Sequence, residues 1–197
     1  AKLEAGDYRG ARDIFRKAQA KVPSHMQDLP RALTSMASHW TELDQGALRF
    51  RWGRGEELLL ECARLAQLPE STRAWIEGQM GAVRVNKVAY EKLSEAEQTG
   101  ATAAQLAAEK KFREALKRFE LTILRYREVP DNSAFGERAR DQERAIRGQV
   151  YRLVLEEVKA LMRAPSPDWV GIVTVLGQAE AYADTAEQCM ELRRLKE

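Results

Sequence analysis

Among the side chains of this 197-residue chain, His25 and His39 are of the type most often used for proton transfer near neutral pH, yet neither falls in a catalytic spacing. No H-E-x-x-H helix, Cys-His zinc spacing or nucleophile elbow contains them, so surface or packing roles are expected for both. Glu56-Glu57 and Glu156-Glu157 are carboxylate pairs in sequence. Adjacent helical residues diverge by about 100°, which denies each pair a shared face. No Gly-rich loop follows a strand, which removes the phosphate-cradling motifs. Cys62 and Cys189 lie far apart without a C-x-x-C spacing and indicate neither a zinc site nor a disulfide framework. Each sits in an apolar helical pattern, where a free thiol behaves as a small buried hydrophobe. The expectation is a chain without catalytic residues, metal or cofactor.

Three polar constellations remain. Arg49-Phe50-Arg51-Trp52-Gly53-Arg54-Gly55 alternates guanidinium groups with aromatics, a pattern that can stack on bases while contacting phosphates. Its competing reading is a helix C-terminus, with arginines complementing the macrodipole and glycines ending the helix. The 32 basic and 30 acidic residues leave a formal net charge of +2, too weak a field to argue for nucleic acid. A nucleic-acid-binding role through Arg49, Arg51, Trp52 and Arg54 is therefore the alternative rather than the leading reading. Arg125, Tyr126 and Arg127 stand together at a helix end, where guanidinium groups can hold a carboxylate or phosphate. Asn86 lies four residues after Ala82 and four before Tyr90, beside Arg84 and Lys87, and is a candidate ligand contact or a side chain bonded within its own helix.

The elements that must position these residues are helical throughout: hairpin signals are absent and apolar stripes of period 3.6 recur from end to end. Asp7–Lys21 is the first helix. Asp28 and Pro30 open a second, with a stripe from Leu33 through Trp40 to Ala47 and Leu48, which Gly53 and Gly55 are expected to end. A third covers Glu56–Gln67. Ser71 starts a long helix bearing Trp75, Ala82, Val83, Ala89, Tyr90 and Leu93, expected to stop near Thr99 and Gly100. Thr102-Ala103-Ala104-Gln105 reads as a capping box for the next helix, which runs through Phe112 and Phe119 to the turn Val129–Ser133. A further long helix spans about Phe135–Arg163, Ala164-Pro165-Ser166-Pro167 interrupts, Asp168 caps a short helix, and a last one carries Ala186, Cys189, Met190 and Leu195. The longest apolar run, Trp169–Gly177, is far too short to span a bilayer, and no signal-peptide pattern precedes Ala1. A chain soluble in its own right is expected, with its compartment open.

Gly6, Asp7, Tyr8, Ala11, Phe15, Ala18 and Pro23 fall on the spacing of the second helix of a tetratricopeptide repeat, which the stretch Ala5 to Pro23 resembles closely. Offsets of three, seven and ten from Tyr8 recur as Phe112, Ala115, Phe119 and Thr122, and again as Trp169, Ile172, Leu176 and Ala179. The copy Ala108–Pro130 looks like repeats of bacterial envelope-assembly proteins, and the one at 168–186 like degenerate repeats of bacterial multidomain proteins. The copies stand 104 and 57 residues apart, off the family's regular period of roughly 34. The resemblance implies an all-α, tetratricopeptide-like solenoid or bundle of about eight antiparallel-paired helices, a single domain over residues 1–197. It further implies a non-catalytic scaffold or adaptor for a protein or peptide partner. The partner would lie on the concave side formed by the first helices of the pairs, with Trp75, Asn86, Tyr90, Arg125 and Tyr126 as the expected contacts, and members that bind peptides commonly grip the backbone with an Asn on a first helix, as Asn86 could. A regulatory or oligomerisation module of a larger protein is a further alternative, since the chain lacks an initial Met and starts where the first half of a helix pair is expected.

Overall fold

The computed structural model describes residues 1–45, 51–65 and 68–196, and among them every regular element is helical. In chain order these are α1 (Tyr8–Lys21), a 3-10 turn (Ser24–Met26), α2 (Asp28–Asp44), α3 (Trp52–Ala63), α4 (Glu70–Ala108), α5 (Phe112–Arg127), α6 (Gly136–Met162), α7 (Trp169–Glu180) and α8 (Ala186–Lys196). No described helix is long and apolar enough to cross a membrane. Contacts divide the chain into two compact units, Ala1–Lys87 and Val88–Glu197, with the division falling inside α4.

In the first unit the Asp7 carboxylate accepts the Gly10 N–H at 2.9 Å and caps α1, while Gly6 takes the left-handed φ of +75° that the preceding turn requires. Val22 is extended (φ −97°, ψ 138°) ahead of Pro23, and α1 stops there. Ala11 is 2 % exposed where α1 packs on α2, and α2 packs in turn on α3. The core of this unit gathers Leu33, Met36, Ala37 and Trp40 from α2, Trp52, Leu58, Leu59 and Cys62 from α3, and Ile76 and Val83 from α4.

Gly53 and Gly55 do not end the second helix. They lie in the first turn of α3, whose start is Trp52, whereas α2 ends at Asp44. A glycine inside a helix costs about 1 kcal/mol against alanine, and the burial of Trp52, Leu58, Leu59 and Cys62 on one side of α3 outweighs that cost. Ala47, Leu48, Arg49 and Phe50 lie outside the described residues, as do Ala66 and Gln67, where the third helix was expected to end.

In the second unit α5 packs on α6, α6 on α7 and α7 on α8. Here the expected stop at Gly100 and the capping box after it are replaced by uninterrupted helix. The Thr102 hydroxyl donates to the Gln98 carbonyl at 3.0 Å, one turn back within α4, and the Gln105 amide donates to Glu109 at 3.1 Å. Gly100 serves close approach: a Cβ there would lie 3.2 Å from Cγ2 of Thr122 on α5. The break comes at Lys110, the non-glycine residue with positive φ (61°) among those described. The Lys111 N–H reaches the Leu106 carbonyl and the Lys110 N–H that of Ala107, both at 3.0 Å, the paired bonds of a Schellman end built without glycine. Later boundaries follow the sequence closely, and Asp168 caps α7 by accepting the Gly171 N–H at 3.1 Å.

At its end, the second unit is fastened by Arg147. Its guanidinium binds both oxygens of Asp184 (2.7 and 3.0 Å) and the Ala181 carbonyl (3.0 Å), and lies 5.9 Å from the Tyr182 ring centroid. Tyr182 donates to Glu120 at 3.0 Å, and burial followed by that carboxylate pushes its hydroxyl up to about 12.

Candidate functional site

Of the five residues expected to contact a partner, Trp75 and Asn86 belong to the first unit and Tyr90, Arg125 and Tyr126 to the second. Arg125 bonds Glu95 at 2.5 Å and lies 3.7 Å from Glu128, so its charge is already partnered across α4 and α5. Tyr126 is 5 % exposed and works as core; burial, then the nearby Glu97 carboxylate, raises its hydroxyl above the ordinary value. Tyr90 is 39 % exposed and tilts against Phe135, with centroids 5.8 Å apart. Asn86 is half-buried and already engaged with the chain. Its expected helpers Arg84 and Lys87 reach back to Glu56 on α3, at 3.0 and 3.4 Å.

The nucleic-acid alternative fares similarly residue by residue. Trp52 is 4 % exposed and offers no ring face to a base, Arg54 pairs with Glu57 at 3.0 Å and Glu61 at 3.6 Å, Arg51 is exposed, and Arg49 lies outside the described residues. His25 sits exposed in the 3-10 turn, and burial lowers the pKa of half-buried His39 below the ordinary imidazole value. Cys62 is fully buried and its thiol is pushed up to about 11, first by burial and then by Glu61. Cys189 departs from expectation: it is exposed on α8, where Leu192 is the buried residue. Trp169, taken as the packing aromatic of the third repeat copy, is 62 % exposed, whereas Ile172, Leu176 and Ala179 of that copy are buried.

Trp75 stands at the edge of the most distinctive surface feature of the first unit, an apolar cleft of about 400 Å³ between α1, α2 and the start of α4. Its construction is local. Ala11 lets α1 and α2 approach, Phe15 one turn later and Leu29 and Leu33 on α2 line the interior, and Leu3 and Leu68 close it from the flanking turns. On α4 the lining positions Thr72 and Trp75 stand three residues apart on one helical face, and Pro69 lines the cleft just before the helix starts. Trp75 is held in place by Trp40, whose ring centroid is 6.1 Å away at 58° and whose indole N–H donates to Gln79 at 3.2 Å. Ile14 is 50 % exposed at the α1 edge. It carries no part in the sequence reading, which took Phe15 for packing alone. The available signal was an isoleucine beside the Ala11–Phe15 stripe, an apolar residue more than one buried face needs.

Apolar walls with few polar groups suit a hydrophobic side chain of a ligand, the general character of sites that hold organic ligands and peptide anchors. Among the described residues no group of three or more His, Cys, Asp or Glu is gathered as a metal site. No protein-family model, curated protein or solved structure matches the chain.

Proposed function

We propose that the chain is a non-catalytic interaction scaffold, a tetratricopeptide-like assembly of packed helices that takes a peptide segment or partner helix in the apolar cleft of its first unit. The observation that carries this reading is the cleft itself, about 400 Å³ of mostly aliphatic and aromatic lining with Ile14 half-exposed and Trp75 braced at its edge. Rigid aromatic anchors beside a preformed pocket are the features that concentrate binding energy at protein interfaces. The consecutive packing of α1 on α2 on α3, and of α5 on α6 on α7 on α8, is also the pattern expected of stacked helix pairs. Burial of Ala11, Ala115, Phe119, Thr122, Ile172, Leu176 and Ala179 fits their assignment as packing positions of such repeats.

The test is affinity capture with the full chain, in parallel with Ile14→Asp and with Arg51→Ala/Arg54→Ala. A protein retained by the parent and by the arginine variant but released by Ile14→Asp is the expected outcome. Nucleic acid bound at low salt and lost with the arginines would replace the scaffold reading.

A further inference from the structure

We infer that the cleft of the first unit accepts an acidic amphipathic segment of a partner protein, whose apolar residues enter between α1, α2 and α4 while its carboxylates meet Lys17 and Lys21. The inference rests on the scaffold reading and names the chemistry of the partner. Helix α1 carries Arg9, Arg12, Arg16, Lys17 and Lys21 against the single acid Asp13, and Arg12 lies 3.4 Å from that acid. Lys17 and Lys21 are exposed, and neither has a carboxylate within ion-pair reach among the described residues. Elsewhere the chain neutralises cations between its helices: Arg84 and Lys87 on Glu56, Arg125 on Glu95, Arg138 on Glu97, Arg127 on Glu143.

The placement of the two lysines follows from helical geometry. Ile14, Lys17 and Lys21 stand at i, i+3 and i+7 and form one stripe, so both ammonium groups border the half-exposed isoleucine at the edge of the cleft. Of the acids nearby, Asp7 is bound by Lys2 at 2.7 Å, and Glu4 is the carboxylate among the lining residues, where Lys2 is also found. Asp28 lies about 100° or more around α2 from the lining residues Leu29 and Leu33, and Glu70 about 160° around α4 from Thr72. Two unpaired lysines at the α1 edge of an apolar pocket favour a negative partner and disfavour a basic one. They also disfavour a second copy of this chain seated face to face, which would oppose the α1 lysines of both copies.

Three fluorescent helix-forming peptides sharing one leucine stripe, flanked by glutamates, by glutamines or by lysines, would be titrated into the intact chain and followed by anisotropy. The glutamate peptide should bind tightest and weaken about tenfold in Lys17→Glu/Lys21→Glu, which should in turn prefer the lysine peptide. Both positions are exposed, and an unchanged far-ultraviolet circular dichroism spectrum would establish that the variant is folded. Equal binding of all three peptides, abolished by Ile14→Asp, would overturn the acidic partner while leaving the cleft as the binding site. Failure of every peptide to bind would overturn both readings. A dimer in sedimentation that Ile14→Asp dissolves would assign the cleft to a second copy and overturn the inference as well.

Discussion

The two thiols of this chain have opposite chemistry although each sits on an amphipathic helix. Cys62 is enclosed in the first unit with its thiol held up at about 11, whereas Cys189 is exposed on α8. Thiolate is the reactive form, and at pH 8 a group titrating near 11 is ionised to only about one part in a thousand. Iodoacetamide should therefore modify the native protein once, at Cys189, and twice after denaturation, with peptide mapping to locate the label. The sign of the linked stability effect follows from the same shift. A proton retained more tightly by the folded state is lost first by the unfolded chain, so the contribution of Cys62 to stability declines as pH rises from its unfolded value toward about 11. The sequence placed both cysteines on apolar stripes, and only burial by neighbouring helices distinguishes them.

At the scale of elements, helix starts were legible and some ends were not. Asp7 and Asp168 cap where expected, and Pro23 stops α1, because each acts on its own backbone within a few residues. Glycine acts in two ways that sequence does not separate. Gly53, Gly55 and Gly100 were read as stops; the first two lie inside α3 and the third permits contact with Thr122, while the real end of α4 falls on a lysine that no end signal marks. The distinction can be measured. Gly100→Leu should lose about 2 kcal/mol in urea unfolding, since its side chain must displace Thr122 and α5. Gly148→Ala, inside α6 with nothing within 4 Å of the new Cβ, should gain up to about 1 kcal/mol. Equal effects at the two sites would remove the close-approach role of Gly100.

On the scale of the whole chain, two separate cores carry the fold, and the tryptophans report on them unequally. Trp40, Trp52 and Trp75 lie in the first unit, where Trp40 and Trp52 are buried; Trp169, in the second, is 62 % exposed. Tryptophan emission during denaturation should thus follow the first unit, while circular dichroism sums helices of both. Two cores that melt independently would give different midpoints by the two probes, the expected result; coincident curves would mean that the units unfold as one. The sequence conveyed the helical class fully, because apolar periodicity is a property of each segment. It conveyed the candidate site partly: Trp75 was singled out, but the cleft beside it depends on Ile14, Leu33 and Leu68, residues remote in sequence whose meeting no local pattern encodes.

The 3.2 Å separation between the missing Cβ of Gly100 and the methyl of Thr122 makes those two positions share one volume. Their tolerances are therefore not independent. A chain that acquires alanine at 100 should accept serine at 122 more readily than this one does, and close variants of the sequence should change these two residues together or leave both alone.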